Sequence, residues 1–213
     1  GTISSLHLVE VRCLAAGVLF ALIAVARDRR SLRIGPRELG FVAVYGIVGV
    51  AMVQWLYFVS ISRMPVSITL LIEFTAPVLI ALWVRFVRRQ PVRGRIWIAL
   101  ALTLIGLALV ARVWAGLTLD AVGLLAAVLA ALSLATYYLL GERGMGRRDP
   151  FSLAAWSFGI AGVFWAAVVP PWTFPFSRLG TPVDLGVTGL SAPAWTFVAF
   201  VVVLGTVAPF GLT

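Results

Sequence analysis

Lysine is absent from this 213-residue chain, and histidine and cysteine occur once each, as His7 and Cys13. A single cysteine forms no intrachain disulfide, so a disulfide-stapled secreted scaffold is excluded. One histidine and one cysteine do not make a zinc site of the usual nitrogen and sulfur kind. Without lysine there is no Gly-x-x-x-x-Gly-Lys-Ser/Thr phosphate loop and no retinal Schiff base. A metalloprotease of the His-Glu-x-x-His type needs two histidines. Charge is scarce as well: 12% of residues are charged and 62% are hydrophobic, against ~25% and ~45–50% in soluble domains. A soluble fold of this length still exposes roughly a quarter to a third of its unfolded surface, which cannot accommodate so much apolar area. Soluble, disordered and collagen-like classes are excluded, and an integral membrane protein remains.

What is present is a series of apolar runs. A bilayer core of about 30 Å takes roughly 20 helical residues, and seven runs have that length: 5–26, 39–60, 65–84, 96–115, 119–140, 151–170 and 192–213. Breakers separate them, at 30–36, Met64-Pro65, Gln90-Pro91, Arg148-Asp149-Pro150 and a Pro/Gly-rich connection from Pro170 to Pro193. The two-residue alternation of a barrel strand is missing, and open strands are too costly in lipid. The expected fold is therefore all-α, a polytopic membrane helix bundle with seven transmembrane helices.

The net charge of +9 comes entirely from arginine. Its placement argues against nucleic acid as a partner and for the lipid bilayer. Arg27, Arg29, Arg30, Arg33 and Arg37 follow the first run. Arg85, Arg88, Arg89, Arg93 and Arg95 follow the third, and Arg143, Arg147 and Arg148 follow the fifth. The opposite side has only Arg63, Arg112 and Arg178, and Arg12 lies inside the first run. Cytoplasmic loops collect basic residues, so the arginine-rich loops are expected in the cytoplasm. Arginine in place of all lysine reads as the usage of a GC-rich bacterial genome, which places the expected multi-pass protein in the bacterial plasma (inner) membrane.

The chain starts without Met and its last run stops at Thr213 with no polar tail, which reads as a fragment with a helix preceding the first run. An internal repeat is also visible. Ala16-Gly17-Val18-Leu19-Phe20-Ala21 is similar to Ala161-Gly162-Val163-Phe164-Trp165-Ala166, and Gly49 with Leu56 matches Gly205 with Leu212. Each pair is five runs apart. An odd spacing gives the two copies opposite orientations, the layout of inverted-repeat secondary transporters.

Tyr57-Phe58-Val59-Ser60-Ile61, Pro65 and Glu73-Phe74-Thr75-Ala76-Pro77 resemble the third and fourth helices of the EamA-type drug/metabolite transporter superfamily. Ala135-Thr136-Tyr137 with Gly141 and Arg143 resembles the end of its sixth helix. The Glu-Phe-Thr-small-Pro string is most similar to the threonine/homoserine exporter branch, which carries Asn where this chain has Gln54. The resemblance covers nearly the whole chain. It implies ten helices in two inverted halves of five, of which this chain would hold helices two to eight. Residues 1–115 would form the first half without its first helix, and 116–213 the second half without its last two. It further implies a transporter rather than an enzyme, needing no cofactor, with a small-molecule substrate; a homodimer is left open.

Glu73 is the sharpest polar candidate. About eight residues beyond Pro65, it lies roughly 12 Å below the outer surface at 1.5 Å per residue. An acid at that depth usually faces a water-filled cavity or a partner. Pro77, four residues on, has no N–H for the Glu73 carbonyl, so a kink is expected. Arg12 and Gln54 fall in the same depth layer, Arg12 close enough in expectation to couple to Glu73. Thr69, Tyr57 and Tyr137 complete the candidate substrate- and proton-binding set. Pocket lining competes with an aromatic belt for Tyr137 and Tyr138. Glu10 and His7, one turn apart, are expected at the outer interface. Gly46/Gly49, Gly159/Gly162 and Ala127/Ala131 read as close helix packing. The function so implied is export of amino acids or related small metabolites by alternating access, with protons as coupling ion because Glu73 titrates. A seven-helix receptor without a retinal Schiff base is the alternative. An intramembrane aspartyl enzyme finds no acid pair, since Asp28, Asp120, Asp149 and Asp184 lie in or beside loops.

Overall fold

The computed structural model describes residues 5–111, 119–145 and 149–169, with positions 180, 182–184, 191–193, 195–196 and 199–200. The helices among them are α1 (Ser5–Arg27), α2 (Pro36–Val44), α3 (Val53–Ile61), α4 (Val66–Glu73), α5 (Ala76–Leu82), α6 (Gly94–Val110), α7 (Ala121–Met145) and α8 (Pro150–Val168). A wider π-type winding over Tyr45–Met52 joins α2 to α3, and another over Trp83–Val87 extends α5. A short antiparallel ladder, β1 (Pro182–Asp184) with β2 (Ser191–Pro193), sets Val183 opposite Ala192.

Among the described residues, five segments are long and apolar enough to cross a membrane: Val9–Arg27, Glu38–Ile61, Val66–Val87, Ala121–Gly144 and Pro150–Val168. They correspond to the first, second, third, fifth and sixth runs of the sequence. The fourth run forms the shorter apolar helix α6. The seventh, 192–213, lies outside the described residues apart from a few positions. Lipid is the solvent these helices require. None of the α6 residues is buried, although it carries Ile98, Leu102, Ile105 and Val110, and Val110 is 81% exposed. Water would oppose that exposure at roughly 25 cal/mol per Å²; hydrocarbon does not.

Local chemistry sets the ends. Asp149 caps α8, its Oδ2 accepting from the Phe151 and Ser152 N–H groups at 3.1 Å each, with Pro150 in the first turn where its missing N–H costs nothing. Asp120 Oδ1 accepts from the Gly123 N–H at 2.7 Å at the start of α7. Arg89, with φ of 53°, turns the chain out of the span that ends at Val87.

The described chain separates into two compact units, residues 1–51 with 144–213, and residues 52–143. In the first, α1 packs along α8. Their register is antiparallel and close: a methyl group placed on Gly17 would lie 2.8 Å from the Gly159 nitrogen, and one on Gly162 would lie 2.6 Å from Leu14 Cδ2. Phe20, fully buried, fills the seam with ring centroids 5.6 Å from Phe158 and 6.5 Å from Phe151. Gly46 meets the Ser157 carbonyl at 2.7 Å by the same measure. Close packing at Gly46 and Gly162 is thus as expected. Gly159 serves through its backbone, since the space where its own side chain would stand is open. At the arginine-rich end the Arg27 guanidinium sits 4.6 Å over the Phe151 ring. Ser152 Oγ donates to the Ser31 carbonyl at 2.6 Å, and Trp156 Nε1 to the Leu32 carbonyl at 3.1 Å. Glu10, one residue inside the start of the Val9–Arg27 span, is covered by protein and 2% exposed.

In the second unit, Leu56, Ala126 and Ala130 form a core that Met52 and Val59 cover. Gly123 admits Met64 and Arg63 against α7, and Arg63 forms an exposed ion pair with Asp120 at 3.7 Å.

Candidate functional site

The second unit contains Gln54, Tyr57, Thr69, Glu73, Pro77 and Tyr137; Arg12 belongs to the first unit. Four of the candidates lie on the hairpin of α3 and α4. Pro65 turns the chain between these helices, its fixed φ of −55° suited to a helix start. Ser60 and Thr69, one on each arm and both fully buried, join their hydroxyls at 2.8 Å. Both oxygens are thereby satisfied, and Thr69 positions the α4 backbone one turn before Glu73.

The span that contains Glu73 is broken at its middle. α4 ends at Glu73, Phe74 and Thr75 form a turn, and α5 resumes at Ala76. Proline at 77 explains the location, because the residue that would donate to the Glu73 carbonyl has no N–H. The turn satisfies its own groups: the Phe74 N–H donates to the Leu70 carbonyl at 2.8 Å, the Thr75 N–H to Ile72 at 3.0 Å, and Thr75 Oγ1 to the same Ile72 carbonyl at 2.6 Å. The Thr75 carbonyl then accepts from Val78 and Leu79 at 2.9 and 3.1 Å, opening α5.

Glu73 is half-buried at this break, and among the described residues its carboxylate makes no hydrogen bond or ion pair. Tyr57, half-buried on α3, lies within its electrostatic range and sets its ring edge-on to Phe58 at 5.7 Å. Gln54, also half-buried, is one turn before Tyr57 on the same helix. A carboxylate, a phenol and an amide thus come from two neighbouring helices of one unit, at a point where the backbone is not helical. That combination can exchange a proton and can hydrogen-bond an ammonium or hydroxyl group. Tyr137, on α7, sets its ring edge-on to Tyr138 at 5.6 Å, and Tyr138 is the more exposed of the two. No group of three or more His, Cys, Asp or Glu residues that could hold a metal occurs among the described residues.

Two features were not foreseen from sequence. The Ser60–Thr69 bond had a readable signal, since the two hydroxyls stand at nearly equal distances on either side of the Pro65 turn. A groove of about 520 Å³ between α5 and α7 had none. Apolar side chains such as Leu82, Phe86, Leu132 and Leu139 line it, and Arg88 and Arg143 close one end. Arg88 bridges to Glu142 at 2.9 Å. The hydrogen bond that the Arg88 guanidinium donates to Glu142 holds its proton more tightly and pushes the Arg88 pKa up.

Comparison with known proteins adds the following. Residues 1–112 match the model of the EamA-like transporter family. A solved crystal structure is similar over 95% of this chain and 66% of its own, with a TM-score of 0.70 at 20% identity. That likeness concerns the fold, and this chain spans about two thirds of the length of that relative. No curated protein matches.

Proposed function

The chain belongs to the EamA-like transporter family, and we propose that it is a secondary-active exporter of amino acids or related small metabolites, driven by exchange with protons. The observation that carries the reading is Glu73, an acid without a hydrogen bond among the described residues at the break of a membrane-spanning segment. A carboxylate there is costly, and acids within membrane spans mark substrate and ion pathways; broken helices supply the polar groups of transporter sites. Glu73 is the proton and ammonium site, Tyr57 and Gln54 are its neighbours for the substrate's polar groups, and Thr69 holds the arm on which it rides. Tyr137 and Arg12 are further substrate candidates, Arg12 as a cation for a carboxylate. The arginine-rich ends face the cytoplasm of a bacterium, and the branch is the threonine/homoserine exporters.

Alternating access requires two related halves, here residues 1–115 and 116–213. The packing in the first unit supports an inverted repeat. The two matching hexapeptides are offset by 145 positions. That offset turns Gly17 into Gly162 and Leu14 into Gly159, so the Gly17–Gly159 and Gly162–Leu14 contacts exchange with one another. A local two-fold axis in the membrane plane produces that exchange.

The test is efflux of a panel of amino acids from preloaded proteoliposomes under an imposed pH gradient, using the full-length protein. Glu73→Gln abolishes gradient-driven export, reducing it to the leak of protein-free vesicles. Export by Glu73→Gln at the original rate, with the original pH dependence, overturns the assignment.

A further inference from the structure

A second membrane acid takes no part in the Glu73 site. Glu10, on α1, is 2% exposed, and its Oε2 has no hydrogen-bond partner among the described residues. Across the seam on α8, Trp165 is also 2% exposed, and its Nε1–H has no acceptor among them either. The register places the two together. Leu14 faces Gly162, and four residues back along α1 and four forward along the antiparallel α8 bring Glu10 level with Ala166, beside Trp165. The repeat offset gives the same answer from another contact. It carries Phe20 onto Trp165 and Phe158 onto Cys13, and Phe20 and Phe158 stand 5.6 Å apart. The indole is thereby placed on the turn that joins Cys13 to Glu10.

Packing alone does not ask for these polar groups. The repeat counterpart of Glu10 is Ala155 and that of Trp165 is Phe20, both buried and apolar. The surroundings are poor in charge. From Pro150 to Val168, α8 has no ionisable side chain. Asp28, Arg29 and Arg30, in and beside the 3-10 turn Arg29–Leu32 that packs on α1, stand at the far end of that helix. On α1 itself the titratable neighbours are His7, one turn before and acting on Glu10 electrostatically, and Arg12 and Cys13 after it.

We propose that Glu10, paired with the Trp165 indole in the α1–α8 seam, is a proton-binding site separate from Glu73, loaded from the membrane face opposite Arg27. A hydronium ion gives its proton to the carboxylate, water leaves, and the neutral acid rests in the apolar seam. On release of the proton, the carboxylate accepts the Trp165 N–H. The Gly17, Gly159 and Gly162 backbone contacts form the smooth track that lets the two helices shift to close that bond. The proposal rests on the transporter reading but needs no substrate, so it is tested apart from it.

The test is a pH titration of the full-length protein in liposomes by infrared difference spectroscopy, without substrate, reading the C=O stretch of protonated carboxyls. Glu10→Gln removes one titrating band that Glu73→Gln leaves in place, and Trp165→Phe moves the midpoint of that band to higher pH by removing the donor to the ionised form. Should Glu10→Gln not fold, Glu10→Asp keeps the acid, and the band persists at a displaced frequency. The proposal is overturned if Glu10→Gln spectra match those of the original protein, or if Glu10→Asp leaves every band unmoved. Failure of Glu73→Gln to affect export leaves this result untouched.

Discussion

The seam of α1 and α8 makes a quantitative prediction about three glycines in one helix pair. A methyl group on Gly17 would stand 2.8 Å from the Gly159 nitrogen and 3.0 Å from its Cα. Both are backbone atoms, so the helices must part. Overpacking of this kind costs about 1–3 kcal/mol, and the helix propensity gained from glycine to alanine returns about 1 kcal/mol at most. Gly17→Ala is thus expected to lose up to about 2 kcal/mol, the difference of those terms at their upper end. Gly159→Ala places its methyl in open space and gains a fraction of the propensity term. Gly162→Ala falls between. Its first obstacles are Leu14 Cδ2 and Cγ, which can rotate, but Leu14 N at 3.1 Å cannot. The chain supplies its own reporter. Cys13 is the sole cysteine and is 1% exposed in this seam, so a thiol-reactive fluorophore in mild detergent labels it only when the seam opens. With opening fast relative to labelling, the rate follows the open population. A loss of about 2 kcal/mol then speeds labelling about 30-fold in Gly17→Ala. Equal rates in Gly17→Ala and Gly159→Ala would refute the register on which this seam, the repeat and the Glu10 site all depend.

Two further perturbations address the second unit. Ser60→Ala or Thr69→Val removes one partner of the buried 2.8 Å bond. Each costs roughly 1 kcal/mol, and the double variant costs less than the two together, the interaction within a membrane averaging about 0.6 and reaching about 1.7 kcal/mol. Strict additivity in thermal unfolding would mean that the bond contributes nothing. Pro77→Ala restores the N–H that the Glu73 carbonyl lacks, so α4 and α5 can join. Because proline is about 3 kcal/mol worse than alanine inside a helix, the variant is expected to be at least as thermostable as the parent while export falls. Full export by a more stable Pro77→Ala protein would show that the break has no part in transport.

The spans were legible because hydrophobicity is summed along the chain, and a run such as 151–170 needs no knowledge of its neighbours. The break at Glu73 was legible for an equally local reason, the missing N–H of Pro77 four residues on. Positions that depend on which way a helix faces were harder. Distance from a helix end gives the depth of Glu10, but its azimuth decides whether it meets lipid or protein. Only the Val9, Cys13, Ala16, Phe20 and Ala24 series, buried throughout and spaced by three or four, marks the α1 face against α8, and Glu10 sits on that face. The same limit applies to Gly159, whose spacing from Gly162 signals packing but cannot tell that Gly17 presses on its backbone while its own side chain position stays open. The proposed repeat partly removes this limit. When two copies of a motif pack across a local two-fold axis, each contact read for one copy fixes a second for the other. Under the proposed repeat, a polar residue opposite an apolar counterpart, as Glu10 is to Ala155, then stands out as one that packing did not demand.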